Sequence, residues 1–106
     1  MKVEFFLDAA DELMDAAALY ESDVRGLGHE FMLEVERVIG VLTELPSLGE
    51  MLDEIHRRIP LRRFPYALTS RRDVDVIRVV AVAHRRRRPR YWAPRVHDRG
   101  NVWSAA

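Results

Sequence analysis

Hydrophobic and polar positions change their period along this chain, and the changes divide it into elements. Val3 to Leu7 is a short apolar run ending at Asp8, long enough for one strand. Asp8 is a suitable N-cap, and Asp11 and Glu12 just after it complement a helix dipole. The spacing of Leu13, Ala16 or Ala17 and Tyr20 predicts a first helix from about Ala9 to Val24, interrupted by Gly26 and Gly28. In a second helix, Phe31, Val35, Val38, Leu42 and Leu45 form one stripe in alternating steps of four and three, while Glu30, Glu34, Arg37 and Glu44 lie mostly off it. Pro46 and Gly49 close that helix.

Beyond Gly49 the period becomes extended. Ile59, Leu61 and Arg63 alternate with Arg58, Pro60 and Arg62, and a second run, Tyr66 to Ser70, follows Pro65. Proline in both places predicts exposed or irregular strands. Arg71, Arg72 and Asp73 form a turn before the strongest strand, Val74 to Ala83, which is apolar on both faces and therefore interior. On its alternation Arg78 and His84 share a face. The order β-α-α-β-β-β, with two adjacent helices against a mostly antiparallel sheet, makes an α+β domain. The sheet face the helices leave open is the expected working surface.

At 106 residues and 48% hydrophobic the chain suits one cored domain, with no repeat or composition break to mark a second. Residues 1–96 are the expected domain and residues 97–106 a flexible polar tail. Cysteine is absent, which excludes disulfides, thiolate zinc sites and thiol catalysis. No stretch free of charged residues exceeds seven, far below a membrane span. Met1 to Asp8 does not read as a secretory signal, so the expected location is the cytoplasm.

Charge changes the picture most. The formal net charge is zero, but residues 1–54 carry fourteen acidic groups against three basic ones, and residues 55–106 carry fourteen arginines against three aspartates. Two halves of −11 and +11 result. Arginine, with its planar fork, binds phosphate and carboxylate bidentately and stacks on bases, so the C-terminal half expects an anionic partner or the acidic half itself. His29, His56, His84 and His97 are scattered without ligand spacing, and no glycine-rich phosphate loop or hydrolase motif is present. Neither a metal nor a cofactor is expected.

Three segments carry a resemblance: Arg62-Arg63-Phe64-Pro65-Tyr66-Ala67-Leu68, then Ile77-Arg78-Val79-Val80-Ala81-Val82-Ala83-His84-Arg85-Arg86, then Pro89-Arg90-Tyr91-Trp92. With Gly26-Leu27-Gly28, Phe31, Glu34-Val35, Ile39, Pro46 and Gly49 they make the chain, from Val3 to Trp92, similar to the RelE/ParE family of type II toxin–antitoxin toxins. The resemblance implies a helical hairpin beside a small antiparallel sheet and a cognate antitoxin as partner, with a toxin–antitoxin hetero-oligomer as the assembly. It also implies one of two targets. RelE-like members cut messenger RNA on the ribosome, whereas ParE-like members poison DNA gyrase without enzymatic action; a toxin retained only for antitoxin and operator binding is the third possibility.

RNA cleavage is the expected activity, since the arginine-rich sheet, His84 and a terminal tyrosine suit it. By resemblance Arg63, Arg86 and Tyr91 are candidate catalytic residues, Arg62 and Arg63 lying on the strand before Phe64, with His84 as a further acid–base group. Arg62, Arg78, Arg85, Arg87, Arg88, Arg90 and Trp92 are candidates for contacting RNA or a partner. One departure stands out: nucleolytic members carry an arginine beside the tyrosine of the Tyr66 strand, where this chain has Ala67. Structural alternatives stay open. The arginine run can end the sheet as a solvated turn, His84 can be a packed strand end, and Tyr91 and Trp92 can pin the tail to the sheet. Arg62 and Arg63, adjacent in one strand, cannot both point to one face.

Overall fold

The computed structural model of the chain describes residues 1–97. Its elements run in the order β1 (Lys2–Phe5), α1 (Leu7–Asp23), α2 (Leu27–Glu44), β2 (Glu50–Met51), β3 (His56–Pro60), β4 (Tyr66–Arg72), β5 (Val76–His84) and a short 3-10 helix, Ala93–His97. The strands form one five-stranded sheet in the order β1-β5-β4-β3-β2. β1 lies parallel to β5, and the remaining neighbours are antiparallel. The α+β architecture read from the sequence is therefore present, with β5 inside the sheet as its two apolar faces require.

The helices cover one face of the sheet. Phe31, Val35, Val38 and Leu42 of α2 are each at most 2% exposed, so the predicted stripe is the packed one. Leu45 falls off it: the helix ends at Glu44, and Leu45, just past it, stands 57% exposed. Where the hairpin meets the sheet, Tyr20, Phe31, Phe64 and Tyr66 pack ring to ring, with centroids 5.0 to 6.0 Å apart. The turn between the helices needs Gly26, whose φ of 88° lies in the left-handed region. Both oxygens of Glu21 accept the amides of Gly26 and Gly28, so a carboxylate from α1 caps α2.

Several boundaries differ from the expected ones. Helix α1 starts at Leu7 rather than Ala9, its N-cap is Phe6 in extended backbone, and Asp8 sits inside the first turn. The Arg62–Arg63 pair lies not on a strand but in the loop after Pro60, because proline ends the β3 ladder and Arg63 adopts a φ of 70°. Two-residue β2, exposed at both positions, is an addition that so short a run did not signal. The largest change is a bulge opposite Thr69 and Ser70: Thr69 pairs with Ala81 and Ser70 with Val79, leaving Val80 as an extra residue. That extra residue reverses the alternation, so Arg78 and His84 do not share a face. His84 pairs with Tyr66 on the helix side, whereas Arg78 pairs with Arg71 on the other. The expected tail begins at His97, and residues 98–106 lie outside the described residues. No helix among the described residues is long and apolar enough to cross a membrane.

A Cβ at Gly28 would sit 2.5 Å from the Ala17 carbonyl oxygen, whereas one at Gly40 meets nothing within 4 Å. Chemical denaturation should therefore show Gly28→Ala destabilised by about 1–3 kcal/mol. Gly40→Ala, in the same helix, should be neutral or more stable by up to ~1 kcal/mol.

Candidate functional site

β5 outruns β1: the last partner of β1 is Val79, and among the described residues the β1-side edge of β5 from Val80 onward has no strand beside it. Side chains complete it. The Val82 amide donates to Glu12 Oε1 at 3.0 Å, and the Val80 carbonyl accepts Arg95 Nη1 at 3.1 Å. Arg95 also reaches Glu12 Oε1 at 2.9 Å, and the Tyr91 hydroxyl donates to Glu12 Oε2 at 2.5 Å. One carboxylate on α1 thus ties the C-terminal segment to the open edge. Burial and the Glu12 carboxylate together push the Tyr91 hydroxyl far above the ordinary tyrosine range, so this phenol stays protonated.

A second fastening holds the middle of the segment. Asp53 accepts Arg90 Nη1 at 2.9 Å, and His56 is hydrogen-bonded to Asp53 while its ring lies 4.5 Å from that of Trp92. Arg90 is held at a φ of 60°, an uncommon conformation for a side-chain-bearing residue. Burial acts to raise the Asp53 carboxyl, but hydrogen bonds from Arg90, two backbone amides and His56 outweigh it and hold the group well below the usual range. Trp92 is 3% exposed and joins the core from the side opposite the helices. The open face is therefore partly roofed, which explains why β5 is apolar on both faces.

Between roof and sheet lies a concavity of about 340 Å³. Its floor is made of small residues that the register sets side by side: Ala67 opposite Ala83, with Thr69 next along β4. Its walls carry five arginines, Arg58, Arg85, Arg87, Arg88 and Arg90, against one acidic residue, Glu50. Ala67, the departure from the nucleolytic pattern, is thus where the hollow opens. Arg87 lies 4.1 Å from the Tyr91 ring centre, and Arg95 lies 5.1 Å from it. Such a lining suits a multiply charged anion, with several forks available for bidentate contacts.

The sequence candidates divide accordingly. Arg85, Arg87, Arg88, Arg90, His84, Tyr91 and Trp92 all border the concavity, although the Tyr91 hydroxyl points to Glu12 and Trp92 is buried. Arg62 and Arg63 do not. The Arg62 amide binds Glu34 and the Arg63 guanidinium pairs with Glu30 at 3.4 Å, both on α2. Arg86 is exposed and its amide donates to His84 Nδ1, with its side chain outside the hollow. Arg78 is held in a separate cluster with Asp73 and Glu4. Arg63, Arg86 and Tyr91 therefore do not converge on one concave surface. Arg58 was missed as a site residue, since only the β3–β4 register brings it opposite Thr69.

No protein-family model matches the chain, and no curated protein matches it. Among solved structures, a chain from the chromosomal ParDE TA system of P. aeruginosa matches with a TM-score of 0.59 at 17% identity, covering 79% of this chain and 95% of that one. The fold is ParE-like. Glu12, Asp53 and His56 are the residues that dress this ParE-like fold with its roofed arginine hollow, and sequence patterning did not single them out for that part. No local period marks a contact made across seventy or more residues.

His56 gives the fastening a pH signature. Burial lowers its affinity for a proton, Arg71 and Arg90 lower it further, and Asp53 opposes them only in part. A histidine harder to protonate when folded stabilises the protein above its unfolded value of about 6.5 and loses that contribution as pH falls through it. The melting temperature should therefore drop between pH 7 and pH 5, and His56→Gln should flatten that part of the profile.

Proposed function

We propose that this chain is the toxin of a type II toxin–antitoxin pair and that it acts inside the cell by binding rather than by cutting RNA. The observation that carries the reading is the sorting of its arginines. Five surround a hollow on the ParE-like sheet, whereas Arg63, Arg86 and the Tyr91 hydroxyl, the groups RNA cleavage would need together, face three different surroundings. Phosphoryl transfer without a metal requires several charged groups and a proton donor aimed at one phosphate. A surface that holds an anionic partner has no such requirement.

On this reading the hollow takes a phosphodiester backbone or an acidic protein segment, with Arg87 and Arg88 as anchors. The antitoxin would neutralise the toxin by supplying carboxylates to the same arginines, and DNA gyrase with its bound DNA is the target that a ParE-like toxin suggests. His84 borders the hollow and would favour the nuclease alternative, but its ring packs against Tyr66 on the helix side of the sheet.

Pulse labelling during the first minutes after induction without an antitoxin separates the two. We expect DNA synthesis to fall before amino-acid incorporation, with a DNA-damage response, and an Arg87→Ala/Arg88→Ala variant to restore viability by about tenfold or more. Immediate loss of amino-acid incorporation with fragmented messenger RNA would overturn the binding reading.

A further inference from the structure

Glu12 lies outside the arginine hollow, on the helix side of the sheet edge, yet it holds two residues of the C-terminal segment, Tyr91 and Arg95, of which Tyr91 lines the hollow. Its two oxygens take the Val82 amide, Arg95 and the Tyr91 hydroxyl. The line of contact runs onward. The Tyr91 ring, oriented by that hydroxyl bond, lies beneath the guanidinium of Arg87, and Arg87 borders the hollow. A carboxylate accepting a hydrogen bond from a phenol also polarises electron density toward the ring, which strengthens its attraction for a cation above it.

We propose that Glu12 is the positioning residue of this hollow: acting through Tyr91, it sets Arg87 in the direction from which a phosphodiester is held. The inference rests on the reading of the hollow as an anion site and adds how one of its arginines is aimed. Geometry separates it from a plain clasp. The Val82 and Arg95 bonds by themselves close the β5 edge; the Tyr91 bond, besides helping to hold the segment, fixes the ring on which Arg87 rests. An unsupported arginine samples many rotamers and loses that freedom on binding, so a guanidinium already resting on a fixed ring binds at lower entropic cost.

Fluorescence anisotropy of a fluorescein-labelled twelve-nucleotide oligothymidylate, titrated with the full chain over a range of salt concentrations, tests this. Arg87→Ala should weaken binding about tenfold and lower the salt slope by about one contact. Tyr91→Phe removes one hydroxyl oxygen and keeps the ring; it should weaken binding about fivefold and lower the same slope, and Glu12→Gln should act in the same direction. The deciding variant is Tyr91→Phe combined with Arg87→Ala, which should bind within about twofold of Arg87→Ala alone, because the positioning has nothing left to position. Losses that multiply, or a Tyr91→Phe protein that melts lower but keeps its affinity and salt slope, would leave Glu12 a structural clasp and overturn the proposal. Failure of the unsubstituted chain to bind the oligonucleotide at low salt would overturn the anion-site reading, and this inference with it.

Discussion

A strand of nine residues beside a strand of four leaves backbone groups that something else must satisfy, and much of this molecule follows from how that is done. β5 passes the end of β1 at Val79, and the groups beyond it meet a glutamate from α1 and an arginine from the C-terminal segment instead of a further strand. Those two side chains also bind one another. Completing the edge therefore fixes the segment, and fixing the segment builds the wall of the arginine hollow. An open strand edge invites pairing with other chains, so the same contacts protect the fold from misassembly.

The opposed charges of the two halves find their use here. Most of the N-terminal acidity stays on the exposed helices, but Glu12 and Asp53 are drawn in to fasten Tyr91, Arg95 and Arg90. The Glu12 fastening is partly buried, where a carboxylate–arginine pair keeps more of its attraction than a surface pair does, whereas the Asp53–Arg90 pair is exposed. Among the arginines around the hollow, Arg90 is tied to Asp53, while Arg85, Arg87 and Arg88 lie on or just after the turn that follows β5. Internal neutralisation and outward binding are therefore two shares of one arginine supply, divided by where carboxylates such as Glu12, Asp53, Asp73 and Glu30 reach.

The elements with a strong period could be read directly. The α2 stripe from Phe31 to Leu42 and the apolar body of β5 needed only their own spacing, and the order of two helices beside a mostly antiparallel sheet followed from them; the parallel pairing of β1 with β5 did not. Features that depend on distant partners stayed hidden. Alternation through Val76, Arg78, Val80 and Val82 is unbroken on paper, but the bulge at Val80 arises from pairing with β4 and reverses the face of everything before it. Arg62 and Arg63 read as strand because the alternation continues past Pro60, where the ladder in fact stops. At the site, the arginine run was visible, whereas the hollow it surrounds depends on Ala67 and Ala83 meeting across the sheet. Tyr91 was noticed for its chemistry; its hydroxyl is committed to a carboxylate 79 residues away.

Amide hydrogen exchange at Val82 tests most directly whether Glu12 completes the β5 edge. This amide, though it faces no strand among the described residues, should be protected to the same degree as the amides of the β4–β5 ladder, and Glu12→Ala should abolish its protection while the ladder keeps its own. Rapid exchange at Val82 in the unsubstituted chain would contradict this, because the carboxylate would then not be holding the edge on which the segment and its arginines depend.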